Sequence, residues 1–177
     1  MEHPSGEARF RDVFDRHFAA VAAYADRRCR TGDGDDVVAE TFAVAWRRLD
    51  AIPVDAELPW LYGVARKVLA NQRRGRLRRL GLLDRLRSES IPPQWTRDEG
   101  TPPVVDALRR LKPDEREVLL LTAWEGLSHS EIAAAMGISA NAVGIRVHRA
   151  KKRLAEELER GHALARKESA PAGHSGL

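Results

Sequence analysis

The sequence predicts an all-α protein with two small helical domains joined by a flexible linker. Apolar side chains recur at helical spacing along most of the 177 residues, and strand-like alternation is poor everywhere. A proline-rich stretch, SESIPPQWTRDEGTPP, interrupts this periodicity and has the composition of an interdomain linker. We therefore expect a first domain over residues 8–87, a linker over 88–103 and a second domain over 104–160. A disordered tail is expected over 161–177, because that stretch is rich in Ala, Gly, Pro and Ser.

Three helices are predicted in the first domain. The spacing of aromatic and aliphatic residues places the first helix from about Ala8 to Cys29. After a glycine-rich break, Asp35 or Asp36 is positioned to cap a second helix that ends near Asp50. Pro59 suits the first turn of a third helix, since a first-turn N–H has no helical carbonyl to bond to.

Two short helices around a glycine turn form the strongest local signal in the second domain. Ser128 and Glu131 have the spacing of a capping box, in which each residue satisfies a backbone N–H of the other. Gly137 is suited to end the first of these helices, and Ser139 to cap the second. The apolar residues of the second helix share one face that must pack on the domain: Val143, Val147, Ala150 and Leu154.

The opposite face of that second helix is polar and basic, and we expect it to enter the major groove of DNA. No acidic residue occurs from Gly137 to Leu154. A basic face opposite an apolar stripe is also typical of a merely solvated helix, but the caps, the turn and the charge run coincide here. The candidate DNA contacts are Asn141, Gly144, Ile145, His148, Arg149 and Lys152.

Charge is unevenly distributed along the chain, although the formal net charge is only +4. Nine basic residues and one acid lie between Arg66 and Arg87, which favours a second polyanion-binding segment. Seven acids and two arginines lie between Asp33 and Glu57, so that segment should face water or a basic partner.

Several function classes find no support in the sequence. No apolar run is long enough to span a membrane and the N-terminus lacks signal-peptide features, so we expect a cytoplasmic protein without membrane insertion. An enzyme would need paired carboxylates, a metal cluster or an activated nucleophile, and the six scattered histidines and single Cys29 supply none of these. We expect no metal and no cofactor.

Two long motifs resemble the extracytoplasmic-function sigma factors of bacterial RNA polymerase. Region four of that family is similar to LRRLKPDEREVLLLTAWEGLSHSEIAAAMGISANAVGIRVHRAKKRL. Region two is similar to DDVVAETFAVAWRRLDAI followed by LPWLYGVARKVLANQRR. Both motifs occur in the family's order, across a linker, and together they cover most of residues 8 to 160.

The resemblance implies a protein that binds core RNA polymerase and promoter DNA. It implies polymerase docking at three positions of the second helix: Asp36, Glu40 and Phe42. It implies recognition and melting of the minus-ten promoter element by the loop and third helix, with these candidates: Ile52, Arg66, Lys67, Asn71, Arg73 and Arg74. The groove-facing residues of the second domain would then read the minus-thirty-five element, and many family members are held inactive by an anti-sigma protein.

Some positions depart from the family pattern. Lys67 and Asn71 replace a usual asparagine and a frequent aspartate, and Ala39 replaces a common glutamine. Gly144 and Ile145 replace a cationic and a hydroxylic residue of the recognition helix. A dimeric helix-turn-helix regulator remains the alternative, although it leaves the motifs of the first domain unexplained.

Overall fold

The all-α fold class is confirmed. The computed structural model describes residues 6–29, 33–80 and 102–168, which form seven α-helices, one 3-10 turn at Leu49–Ala51 and no strand. The helices are α1 (Gly6–Asp26), α2 (Gly34–Arg47), α3 (Glu57–Leu80), α4 (Pro103–Arg110), α5 (Pro113–Ala123), α6 (His129–Met136) and α7 (Ala140–Glu168).

Helices α1, α2 and α3 pack against one another and form what we call the first helical unit. Its core includes Val13, Val21, Val37 and Leu61, all of which are fully buried. The prediction that Asp35 or Asp36 caps α2 is wrong, because the helix begins earlier, at Gly34, and Asp33 is the N-cap residue. The two aspartates instead lie in the first turn, where negative charge stabilises the positive end of the helix dipole.

The start of α3 is fixed by contacts to α1. Glu57, the first residue of α3, is buried, and its carboxylate lies 2.9 Å from His17 Nε2 and 3.0 Å from Arg16 Nη1. Pro59 lies in the first turn, as predicted. These contacts orient the helix that carries the predicted minus-ten residues.

Helices α4 to α7 form the second helical unit, in which α7 packs on the other three. Arg116 is buried, and its guanidinium donates to the carbonyl oxygens of Leu111 at 3.2 Å and Arg109 at 3.5 Å. These bonds satisfy carbonyls at the end of α4 that have no partner within the helix. Helix α4 already begins at Pro103, the last residue of the predicted linker, whereas residues 88–101 and Trp95 lie outside the described residues.

Helix α7 is longer than predicted. It continues to Glu168, so the first eight residues of the predicted disordered tail, 161–168, are helical. Those residues are mostly Ala, Leu, Arg, Lys and Glu, whose high helix propensity outweighs the single Gly161.

The two helical units share one continuous apolar core. Helix α3 of the first unit packs on α6 of the second, and this approach depends on a glycine. A Cβ atom at Gly63 would lie only 2.8 Å from the carbonyl oxygen of Ala135, so a side chain there cannot be accommodated without a shift.

Candidate polymerase and nucleic-acid interfaces

The helix-turn-helix formed by α6 and α7 has the predicted caps. Ser128 Oγ accepts from Glu131 N at 3.3 Å, and Glu131 Oε2 accepts from Ser128 N at 2.7 Å. The side-chain and backbone hydrogen bonds from Ser128 lower the pKa of Glu131. Gly137 ends α6 with φ at +69°, and Ser139 Oγ accepts from Ala142 N at 3.2 Å at the start of α7. These bonds fix the angle at which α7 leaves the turn.

The two faces of α7 are oriented as the sequence predicts. Val143, Val147 and Ala150 are buried, and Leu154 is partly buried. The opposite face is exposed at Asn141, Ile145, His148, Arg149 and Lys152, and partly buried at Gly144. A continuous polar and cationic surface is therefore available to a groove of duplex DNA.

Because Gly144 has no side chain, the ring of His129 also lies at this face. The ring of His129, from α6, comes within 3.7 Å of where a Cβ of residue 144 would lie. His129, Asn141 and His148 line an open cleft of about 460 Å³ over the glycine. Sequence reasoning did not assign His129 to the DNA face, because its contact with α7 depends on tertiary packing.

The predicted minus-ten residues of α3 lie together. Lys67, Asn71 and Arg74 are exposed, whereas Arg66 and Arg73 are partly buried. Arg74 Nη2 donates to Asn71 Oδ1 at 2.5 Å. All five line one cleft of about 540 Å³, whose opposite wall is α5 of the second helical unit. The cationic cluster is thus formed, but another part of the chain faces it.

The loop before α3 requires a correction at Ile52. This side chain was predicted to contact the minus-ten element, but it is only 2% exposed and belongs to the core. Its carbonyl oxygen accepts from Arg9 Nη2 at 2.9 Å, which ties the loop to α1. Val54, two residues on, is 80% exposed at the tip and is the available apolar contact. The burial of Ile52 depends on how the loop packs on the rest of the chain, which the local sequence does not specify.

The predicted polymerase-docking positions on α2 also divide by burial. Asp36 and Glu40 are exposed, but Phe42 is only 4% exposed, so this side chain is corrected to a core residue. The centroids of the Phe42 and Phe14 rings lie 4.7 Å apart. This packing against α1 explains why Phe42 is buried. Trp46, one turn further along α2, is 51% exposed and was missed by sequence reasoning.

Buried ion pairs join the two helical units. The guanidinium of Arg28 lies 3.1 Å from Glu117 Oε2 and 3.0 Å from Glu125 Oε1, and it stacks on the Tyr24 ring at 3.7 Å. Tyr24 donates its hydroxyl to Glu117 Oε1 at 2.8 Å. Burial, followed by the charge of Glu117, raises the pKa of Tyr24 well above 10. Burial and the charge of Glu125 raise the pKa of Tyr62, which stacks on Tyr24, to about 12.

The described residues contain neither a metal-binding cluster nor a membrane-spanning helix. Among the described residues, no group of three or more His, Cys, Asp or Glu side chains is arranged to hold a metal ion. No helix within the described ranges combines the length and apolar character needed to cross a membrane.

Comparisons with known proteins agree on one family. A family model described as Sigma-70, region 4 matches residues 103–154. RNA polymerase sigma factor CarQ of Myxococcus xanthus is 34% identical over 158 residues, covering 84% of this chain and 88% of that protein. The chain belongs to the extracytoplasmic-function sigma factors. Members of this family bind core RNA polymerase and direct promoter-specific initiation of transcription.

Solved structures of sigma factors show the same fold. The sigma factor RpoE of Bartonella quintana, solved in complex with the anti-sigma factor NepR, is 27% identical with a TM-score of 0.64, covering 85% of this chain and 96% of that one. CnrH, solved in complex with the cytosolic domain of CnrY, is 28% identical with a TM-score of 0.57, covering 85% and 88%. The CnrH sequence of Cupriavidus metallidurans is 32% identical over 88% of this chain and 90% of that protein. Membership of this sigma factor family implies a regulatory, non-enzymatic role.

Proposed function

We propose that this sigma factor uses three separate surfaces. Helix α2 docks on core RNA polymerase, and α7 recognises the minus-thirty-five element. Helix α3 and the loop before it bind the opened minus-ten element. The observation that carries the proposal is the exposed cationic face of α7. That face lies directly opposite the buried stripe that fixes the helix on the second unit. The protein acts in the cytoplasm, without catalytic chemistry of its own.

The docking surface on α2 combines acidic and aromatic side chains. Asp36 and Glu40 are one helical turn apart and both exposed, so they share a face that would attract a basic partner helix. Trp46, near the end of α2, adds a large exposed ring to this helix, and such rings contribute strongly to protein interfaces. Phe42 supports this surface from beneath, through its contacts with α1.

The minus-ten surface pairs cations with an apolar tip. Lys67, Arg73 and Arg74 supply charge for the phosphates of a single strand, and Asn71 supplies donors and an acceptor for a base edge. Val54 at the loop tip replaces Ile52 as the apolar surface against which an unstacked base can lie.

The minus-thirty-five surface depends most on Arg149. An arginine bonded to two guanine acceptors contributes about 1–3 kcal/mol of discrimination. Asn141, His148 and Lys152 flank it, and exposed Ile145 is placed to contact a thymine methyl group. With Gly144 contributing no side chain, these neighbours carry more of the recognition.

Sigma-dependent transcription tests the proposal. Core polymerase is mixed with the chain, and transcripts from fragmented genomic DNA are sequenced; we expect initiation at a set of promoters that share two elements. Alanine at Arg73 and Arg74 should weaken binding to all of them and reduce the salt slope by about 1 per lost phosphate contact. Alanine at Lys67 should alter promoter opening or base preference. Permanganate reactivity and promoter choice unchanged by Lys67→Ala would remove that residue from the account.

Regulation by an anti-sigma protein is part of the proposal. Two solved relatives are recorded in complexes, RpoE with the anti-sigma factor NepR and CnrH with the cytosolic domain of CnrY. This chain has the same fold over 85% of its length. We expect a dedicated protein to bind it and to prevent its association with core polymerase, and competition in the transcription assay measures that directly.

A further inference from the structure

The recognition face of α7 has a gap at Gly144. This residue lies on the face between Asn141 and His148, one helical turn from each. A larger residue at this position would extend a side chain from α7 toward the groove. In this chain an open cleft of about 460 Å³ lies over the glycine instead. The middle of the recognition face therefore receives no side-chain polar atom from residue 144.

Helix α6 places an imidazole ring at this gap. His129 is the first residue of α6 and is exposed. Its Nδ1 and Cε1 atoms lie 3.7 Å and 3.8 Å from the position that a Cβ of Gly144 would occupy. The ring lines the same cleft as Asn141, Ile145 and Arg149. The imidazole is thus grouped with the residues that we assign to base recognition.

The capping box holds the backbone of His129 in place. The neighbouring Ser128 and Glu131 exchange hydrogen bonds between side chain and backbone, which fixes the first turn of α6. A side chain carried on a fixed backbone loses less conformational freedom when it binds. The position of the ring therefore suits a specific contact with DNA.

The gap decides which part of DNA the ring can reach. In helix-turn-helix proteins the first helix crosses the DNA backbone while the second lies in the major groove. A ring at the start of α6 would ordinarily meet a phosphate. Here no side chain of residue 144 stands between His129 and the groove, so base edges come within its reach. An imidazole carries an N–H donor, and guanine presents only acceptors at its major-groove edge.

We propose that His129 recognises a guanine of the minus-thirty-five element through the gap that Gly144 leaves in the recognition helix. A residue of α6 then makes a specific contact in the place where α7 offers no side chain. The inference rests on the proposed function, because it requires α7 to enter the major groove at that element.

His129→Ala tests the contact and leaves the capping box intact. The full chain is combined with core polymerase, and affinity is measured across promoters whose minus-thirty-five element is randomised. At one position the preference for guanine should fall by about fivefold, the scale of one hydrogen bond, while preferences at the other positions persist. His129→Phe keeps a ring without its nitrogens and should show the same loss. The melting temperature should not fall in either variant, because the position is exposed.

His162→Ala is the matched control. It makes the same change at an exposed position of α7 that lies about 27 Å along the helix from Gly144. Its base preferences should match those of the parent.

Two substitutions of Gly144 test the gap itself. In Gly144→Ala the added Cβ would make only ordinary van der Waals contact with the His129 ring, so the guanine preference should persist. Gly144→Arg places a long side chain in the cleft and should keep the ring away from the bases. His129→Ala should therefore reduce the guanine preference by about fivefold in the Gly144→Ala background and leave preferences unchanged in the Gly144→Arg background.

Other roles of His129 give different results. A phosphate contact would make His129→Ala weaken binding to every sequence equally and reduce the salt slope by about 1. A purely structural role would lower the melting temperature. Either result, unchanged base preferences in His129→Ala, or equal effects of His129→Ala in both Gly144 backgrounds would overturn the inference.

The proposed function fails in a different way. A parent holoenzyme with no base preference anywhere in the randomised element would overturn the assignment of α7 to it. A parent that keeps its preferences in His129→Ala and loses them in Arg149→Ala would retain that assignment and overturn the role of His129 alone.

Discussion

The two helical units differ in how directly their sites follow from local sequence. In the second unit, the caps, the turn and the two faces of α7 lie where the spacing of residues places them. In the first unit, Ile52 and Phe42 are buried despite their predicted contacts, and Arg66 is engaged by Asp114. A site built on one capped helix is specified locally, whereas a site shared by a loop and several helices depends on tertiary packing.

The largest effect should come from reversing charge on the first unit. Asp36→Lys combined with Glu40→Lys places cations against a basic partner, and repulsion of this kind costs several kcal/mol. We expect more than about a hundredfold loss of affinity for core polymerase, measured by fluorescence anisotropy, with circular dichroism unchanged because both positions are exposed. Undiminished binding would mean that α2 is not the docking helix.

Alanine variants of Ile52 and Val54 test which residue of the loop before α3 contacts the minus-ten element. Ile52→Ala removes buried methyl groups and should lower the free energy of unfolding by about 2–5 kcal/mol. Val54→Ala, at an exposed tip, should leave thermal stability unchanged and slow promoter opening. Permanganate footprinting measures promoter opening, and thermal denaturation measures stability. Slowed opening by Ile52→Ala at unchanged stability, with normal opening by Val54→Ala, would restore Ile52 as the DNA contact.

The equivalent pair in the second unit lies on α7. Arg149→Ala should weaken promoter binding by about 1–3 kcal/mol at unchanged melting temperature. Val147→Ala should instead lower stability by about 1–3 kcal/mol, because its side chain is buried. Titration against a randomised minus-thirty-five library separates the two, and equal affinity of Arg149→Ala and the parent throughout that library would rule out its role.

The smallest effect concerns the capping box of α6. Ser128→Ala should cost about 1 kcal/mol of stability. The folded pKa of Glu131 is lowered, so its contribution is present above the ordinary value of 4.5 and is lost as pH falls through the folded value. Because this side chain is only partly buried, the pH-dependent part is small. Glu131→Gln should therefore slightly reduce the fall of melting temperature at acidic pH. An unchanged pH dependence of the melting temperature would show that the ionised carboxylate contributes nothing.

Much of the fold followed from short-range patterns. Gly137 and Ser139 predicted the turn, and the apolar stripe from Val143 predicted which face of α7 is buried. Pro59 marked the start of α3 correctly. Each of these signals acts within a few residues, so a single sequence contains it.

Long-range contacts could not be predicted in the same way. The pairing of Arg28 with Glu117 and Glu125 joins residues about 90 positions apart, and their charges alone do not indicate which partners meet. The approach of His129 to Gly144 and of Gly63 to Ala135 likewise depends on how helices cross. The burial of Phe42 reflects the aromatic side chains that α1 places against α2.

Footprinting of a promoter by the reconstituted holoenzyme tests the central claim most directly. Hydroxyl-radical cleavage should show two protected patches about 25 base pairs, or roughly 85 Å, apart. Arg149→Ala should weaken the upstream patch alone, and Arg73→Ala with Arg74→Ala should weaken the downstream patch and its permanganate reactivity. Loss of both patches from either variant, or protection of a single element by the parent, would contradict the assignment of separate promoter elements to α7 and α3.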